Sequence, residues 1–210
     1  MNPKARLEHW QRVYASKRPD EVSWFQAQPT TSLALIGRAA PPVGARVIDV
    51  GGGASTLVDA LLDRYSVTVL DLSSAALEHA KHRLGAAADR VTWLEADITT
   101  VDLPNAAFDL WHDRAVFHFF NDPEDRAAYV RRLRGALRPG GHAIIAGFAP
   151  DGPTRCSGLE VVRGDAAQLG AALGAGFALL EERFEVHRTP TGGEQRFVYA
   201  LFGWDGAGSD

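Results

Sequence analysis

The chain has 210 residues, 46% of them hydrophobic and 23% charged, with a formal net charge of −4; those totals fit one α/β domain, or one domain with a modest cap, around a sizeable core. The acidic balance gives no electrostatic reason to expect nucleic acid or an anionic membrane as partner. A single cysteine, Cys156, excludes an intramolecular disulfide framework and a multi-cysteine zinc site, and no apolar run approaches the roughly 20 residues needed to span a bilayer.

The opening Met1-Asn2-Pro3-Lys4 lacks the apolar core of a signal peptide, so a cytoplasmic location is expected. Residues 3 to about 17 read as a helix with Leu7, Trp10, Val13 and Tyr14 on one face. Arg18-Pro19-Asp20-Glu21 breaks it, Ser23-Trp24-Phe25-Gln26 follows, and a second helix over roughly 30–39 carries Leu33, Leu35 and Ile36. This aromatic prefix has two readings. Trp10, Tyr14, Trp24 and Phe25 pack it onto the core, or they form a lid that excludes water from a ligand.

Val47 to Val50 is β-branched, apolar and short, as a buried parallel strand is. Gly51, Gly52 and Gly53 follow at once, and Ser55 can cap the pattern Leu57, Val58, Leu61, Leu62. Strand, glycine turn and helix form the layout in which a ligand approaches bare backbone beside a helix N-terminus. The dinucleotide spacing G-x-G-x-x-G is incomplete, because Thr56 holds the third position, whereas Asp49 stands two residues before the first glycine.

Val67 to Asp71 reads as a second strand ending in an acid twenty positions after Gly51. Such an acid accepts hydrogen bonds from both hydroxyls of a ribose; the other reading is a helix N-terminal acid ahead of Ser73 and Ser74. The next helix buries Ala76, Leu77, Ala80 and Leu84, while His79 and His82 lack metal-ligand spacing. A third strand, Val91 to Leu94, leads to Glu95-Ala96-Asp97-Ile98, which again puts an acid at a strand end. Phe108 to Trp111 is a fourth strand, running into His112-Asp113-Arg114-Ala115-Val116-Phe117-His118-Phe119. Asp122 and Pro123 open a helix at N-cap and N1. Its arginines, Arg131, Arg132, Arg134 and Arg138, read as a solvated face rather than a nucleic-acid patch. A proline–glycine turn at 139–141 precedes a fifth strand, 143–148. The loop from 149 to about 164, with Cys156, lies beyond that strand's C-terminal end and so on the ligand side. A helix over about 165–173 and two strands, 177–187 and 195–202, complete the pattern.

Asp49-x-Gly51-x-Gly53, the acid Asp71, the pair Asp97-Ile98 and Leu137-x-Pro139-Gly140-Gly141, in this order, resemble the class I S-adenosylmethionine (SAM)-dependent methyltransferases over roughly 45–202. One departure is Ser55, where many members place a third glycine. The resemblance implies a doubly wound α/β fold: a mostly parallel seven-stranded sheet with a C-terminal antiparallel hairpin and helices on both faces. It implies a lid over 1–40, a SAM-binding domain over 41–204 and a flexible tail over 205–210. Trp24, Asp49, Gly51, Gly53, Asp71, Leu72, Asp97, Ile98 and Asp113 would bind SAM, whose spent form is S-adenosylhomocysteine (SAH). Asp97 would accept from the adenine amino group, with Ile98 over the ring.

The fourth strand's end borders the transferable methyl in that family, so Asp113 and His118 are the expected catalytic pair. His118 would take a proton from an incoming nucleophile; beside three phenylalanines it also reads as a hydrogen-bonded core residue. No metal is implied. The expected acceptor is a sulfur, nitrogen or oxygen nucleophile of a small molecule, with the chain a monomer or weak homodimer and neither nucleic acid nor membrane as partner. A protein lysine is the alternative acceptor. Readings of another class are an NAD(P)-dependent oxidoreductase and a SAM-binding module without activity.

Overall fold

Strand β1 (Arg46–Val50) is buried from its second residue onward, because sheet pairs with it on both edges and helices cover both faces. The structure, a computed structural model, describes residues 2–207; the last three residues of the expected tail, 208–210, lie outside the described residues, as does Met1. β1 pairs in parallel with β2 (Ser66–Asp71) and with β4 (Phe108–Arg114). β3 (Thr92–Glu95) extends one side and β5 (Leu137–Phe148) the other, both parallel. The two-residue strands β6 (Arg155–Cys156) and β7 (Leu159–Glu160) form a separate small hairpin. The long strands β8 (Phe177–Arg188) and β9 (Glu194–Trp204) fold back on each other, and β9 inserts antiparallel beside β5. The order is β3-β2-β1-β4-β5-β9-β8, the expected mostly parallel seven-stranded sheet closed by an antiparallel hairpin.

Alternation along each strand divides the core into two layers. Val47, Val67, Leu110 and Ile144 face one side with Leu35 and Ile36 of α2 (Thr30–Ala39) and Leu57, Val58 and Leu61 of α3 (Leu57–Leu61). Ile48, Trp111 and Ile145 face the other with Tyr129 and Leu133 of α5 (Pro123–Ala136) and Leu173 of α6 (Ala166–Leu173). α2 is therefore a core helix. The other helix of the prefix, α1 (Pro3–Ser16), lies beside α4 (Ser74–Leu84) and buries only Arg6 and Tyr14. Caps at these helix starts follow the sequence: Asp122 accepts from the Glu124 N–H at 2.8 Å, with Pro123 in the first turn.

Two elements differ from expectation in ways that matter for the site. α3 is a single turn of five residues, because the chain must reach β2 at Ser66, so it offers no extended helix end to a ligand. β4 continues three residues beyond Trp111: the ladder to β5 holds His112, Asp113 and Arg114 opposite Ile144, Ile145 and Ala146. Those three side chains therefore alternate across the sheet instead of clustering in a loop. No helix among the described residues is long and apolar enough to cross a membrane.

Candidate active site

The strand order reverses between β1 and β4, and in an open parallel sheet the crevice at such a point, outside the strands' carboxyl ends, receives the ligand. A cleft lies there, with about 750 Å³ of empty space including its open mouth. A second cavity of about 560 Å³ adjoins it, and Tyr14, Trp24, Val50, Gly51 and Arg114 line both.

Of the glycine turn, Gly51 lines both cavities, Gly52 lines only the second and Gly53 lines neither. Gly51 has φ +70°, and a Cβ there would lie 2.1 Å from Val116 Cγ2, so both backbone conformation and space demand glycine. A Cβ on Gly53 would lie 2.5 Å from Asp71 Oδ2. The turn from β1 is thereby pressed between the β4 exit and the β2 acid.

The three acids expected at successive strand ends each occupy a distinct environment. Asp71 lines the cleft and is nearly buried, accepting from the Ser73 N–H at 2.8 Å. Burial pushes its carboxyl up to about 7, against the opposing effect of the surrounding backbone N–H groups. Leu72 lines the cleft next to it. Asp97 also lines the cleft, but with both oxygens engaged: Oδ1 accepts from Thr99, and Oδ2 from Arg6 at 3.0 and 3.2 Å. Ile98 is buried in the wall beside it. Asp49 faces the second cavity. Its Oδ1 accepts from His112 Nδ1 at 2.7 Å, and His112 Nε2 is bonded to Ser32 Oγ at 2.9 Å. The other oxygen, Oδ2, is buried without a partner, an orphaned acceptor suited to an incoming cation or N–H donor.

Aromatic rings of the prefix roof the cleft. Trp10 stands edge-on to Trp24 at 5.7 Å and to Phe119 at 5.1 Å, while Trp24 Nε1 donates to the Tyr14 hydroxyl at 3.3 Å. Each edge-to-face pair adds about 0.5–1.5 kcal/mol beyond its buried area. Arg6 ties the roof down from beneath, bonded to Asp97, Thr99 and Asp125 and set over the Phe120 ring. Neither reading of the prefix excludes the other: Tyr14 is buried and lines the cleft with Trp10 and Trp24, while Phe25 lines the second cavity instead.

The expected catalytic pair lies elsewhere. Asp113 is fully buried on the α5 face, where its oxygens accept from the N–H groups of Val116 and Phe117 and from the Tyr129 hydroxyl at 2.6 Å. Burial raises it to about 6 despite those bonds. It shapes the turn that meets Gly51 and does not line the cleft. The pleat is the reason: residues 111 and 113 share one face of β4, whereas 112 and 114 share the other. His118 is also outside the cleft. Its ring packs against Phe119 and Phe148, neither nitrogen has a partner, and burial, with help from Arg114, lowers it to about 3. It faces a separate small cavity with Gly147 and Gln168.

Arg6, Arg114 and Cys156, which are not among the expected site residues, also line the cleft. The loop reading had put Cys156 on the ligand side, and the β6–β7 hairpin carries it there. Arg114 was visible only as the neighbour of Asp113; extending the strand's alternation to 114 would have found it. Nothing in the sequence marks Arg6, whose role depends on α1 docking across the ends of β3 and α5.

The family described as a methyltransferase domain matches residues 47–141. An uncharacterized methyltransferase of Mycobacterium tuberculosis is 38% identical over 109 residues, 51% of this chain and 53% of that protein; the chain thus spans about half the length of the curated relatives it matches. Among solved structures, one described by the conversion of a disulfide bond into a thioacetal group during echinomycin biosynthesis superposes with a TM-score of 0.78 at 21% identity, covering 97% of this chain and 94% of that one. The Burkholderia thailandensis 1,6-didemethyltoxoflavin-N1-methyltransferase, solved with its acceptor and SAH, gives 0.72 at 21% identity, with 97% and 91% covered. At these identities the two structures establish the shared fold.

Proposed function

We propose that this chain, a class I, Rossmann-like methyltransferase, binds SAM across the two adjoining cavities and transfers its methyl group to a small-molecule nucleophile. The observation that carries the reading is the placement of Asp71 and of Gly51, the first residue of the glycine turn, in one cleft that the prefix aromatics also line. Asp71 would accept from the ribose hydroxyls, Leu72 and Ile98 would cover the adenine, and Asp97, which already holds Arg6, would border its amino group. The amino-acid part fits the second cavity, where Asp49 Oδ2 is buried and partnerless and a Cβ on Gly52 would collide with it at 2.4 Å. The sulfur then falls where the cavities meet, beside Trp24, Tyr14 and Arg114. An aromatic face beside a sulfonium cation is favourable.

When bound, SAM supplies a methyl group on a good leaving group. The protein's residues therefore supply alignment and a dry site rather than bond-making groups of their own. The roof supports a small acceptor over a protein lysine, which an open groove would suit better. Calorimetric titration with SAH and with NAD tests the cofactor: SAH binds and NAD does not, whereas NAD binding without a response to SAH would overturn the reading. Incubation of labelled SAM with small acceptors and with a cell lysate tests the acceptor. Label confined to a protein band would reverse the order of the two.

A further inference from the structure

We infer that the acceptor is a small nucleophile that arrives already anionic, and that Arg114, at the junction of the two cavities, is the residue that receives it. The inference rests on the function just proposed and adds the charge of the substrate.

Arg114 ends β4 on the cleft side of the sheet, with its side chain only 10% exposed. Three contacts fix the guanidinium: Nε donates to the Tyr199 hydroxyl at 2.7 Å, Nη1 donates to the Trp24 carbonyl at 2.9 Å, and the plane lies 4.4 Å from the centre of the Phe197 ring. Of the five N–H donors on the group, those bonds use two. Nη2 makes no hydrogen bond, and its nearest carboxylate oxygen, Glu185 Oε1, is 3.8 Å away. That oxygen is already held by Gln26 and by the Tyr199 hydroxyl, and Thr31 holds the other. Arg114 is thus a rigid, buried donor with capacity left over, in the wall shared by both cavities.

The charge balance points the same way. Glu185 offsets Arg114, so the excess positive charge at this junction is that of the sulfonium, which a monoanion neutralises. In a site walled by Trp10, Trp24 and Phe119 an unbalanced charge is costly. A protonated acceptor would also have to lose its proton to some group there. Among the described residues that line the cleft, Cys156 and Tyr14 are themselves acids that burial holds protonated, the thiol pushed up to about 12 and the phenol higher still. Arg6 and Arg114 are cations, and of the second cavity's ionisable groups Asp49 and His112 are bonded to each other, with the other ring nitrogen of His112 held by Ser32. Asp71 and Asp97 sit at the β2 and β3 ends with the nucleoside, and Asp113 and His118 are turned away. An anion needs none of them. Its lone pair forms the bond to the methyl carbon as the carbon–sulfur bond breaks, and that bond's electron pair stays on sulfur. The two charges cancel and no proton moves.

The test compares two probes of one shape on the protein saturated with sinefungin, a SAM analogue that carries an ammonium group in place of the methylsulfonium and has no methyl to transfer: thiophenol, ionised at pH 8, and aniline, neutral there. Calorimetry should show thiophenolate binding at least about tenfold more tightly, the effect of one or two charge-assisted hydrogen bonds. In Arg114→Met that preference should collapse while SAH affinity stays within about threefold, and Arg114→Lys should restore part of it. With SAM, thiophenolate should be methylated and its KM should rise in Arg114→Met. Equal binding of the two probes by the wild-type protein, or binding of neither, overturns the inference, and neither result needs the variant to fold. A Met variant that loses SAH while keeping the thiophenolate preference also overturns it, by making Arg114 a cofactor residue. Absence of SAH binding by the wild-type protein would instead remove the proposed function, and this inference with it.

Discussion

Lowering the pH from 8 to 6 should weaken SAH binding about tenfold through one carboxylate, Asp71. Burial holds this group near 7 in the free protein, with the nearby Asp49 carboxylate adding to the rise. A ribose diol donates hydrogen bonds, so the bound state requires the ionised form and keeps its pKa low. With a free-state value of about 7 and a bound-state value well below 6, the affinity ratio between pH 8 and pH 6 is about ten, and about 0.9 proton is released on binding at pH 6. Titration calorimetry in two buffers of different ionisation enthalpy reads both quantities. Asp71→Asn should bind SAH weakly at every pH and show no proton release. Asp113 also titrates near 6, but its oxygens stay bonded within the protein, so Asp113 adds little to the linkage. A wild-type affinity flat from pH 8 to 5, or the same slope in Asp71→Asn, would refute the reasoning. The sign for stability is opposite to the usual carboxylate. The folded value lies above the ordinary 3.8, so the unfolded chain loses its proton first, and the contribution of Asp71 to stability falls as pH rises from about 4 to 7.

Gly51→Ala should cost SAH affinity more than tenfold, because its Cβ meets Val116 Cγ2 and the backbone is left-handed there; a second change, Val116→Ala, should recover part of the loss, and no recovery would locate the effect elsewhere. Trp24→Ala should weaken SAM more than SAH, by about 3- to 30-fold in the ratio of dissociation constants if the ring faces the sulfonium, whereas equal losses would reduce Trp24 to a packing residue. Asp113→Ala leaves two backbone N–H groups and the Tyr129 O–H without an acceptor, while the Tyr129 oxygen still accepts from Trp111; this should destabilise the fold by about 3 kcal/mol and lower the melting temperature by about 6–12 °C. His118→Leu removes two partnerless nitrogens, so turnover should stay within about twofold and stability should hold or rise; a tenfold fall in kcat with unchanged SAH affinity would return His118 to the reaction.

How far the site could be read depended on the range of the interactions involved. The turn at Gly51 is written locally, because strand and glycines are adjacent in sequence and the acids follow at the ends of the next strands. Asp71, Leu72, Asp97 and Ile98 therefore line the cleft from their positions alone. The role of Asp113 was not legible, because it depends on whether β4 ends at Trp111 or runs on. β5 decides that, by offering Ile144, Ile145 and Ala146 as ladder partners. Ending the strand early put Asp113 and His118 at the substrate; continuing it sends Asp113 to Tyr129 and brings Arg114 to the cleft. Arg6 required knowing that the first helix crosses to residues 97, 99 and 125.

By itself the sequence determined the sheet and its ligand edge. Period-two burial, glycine turns and helix caps act over a few residues, and their order along the chain leaves one favourable winding. Only the tertiary structure decided which polar groups meet at that edge. A side chain's burial, partners and charge are set by segments distant in the chain, and one residue of strand length is enough to turn a carboxylate from the cleft to the core.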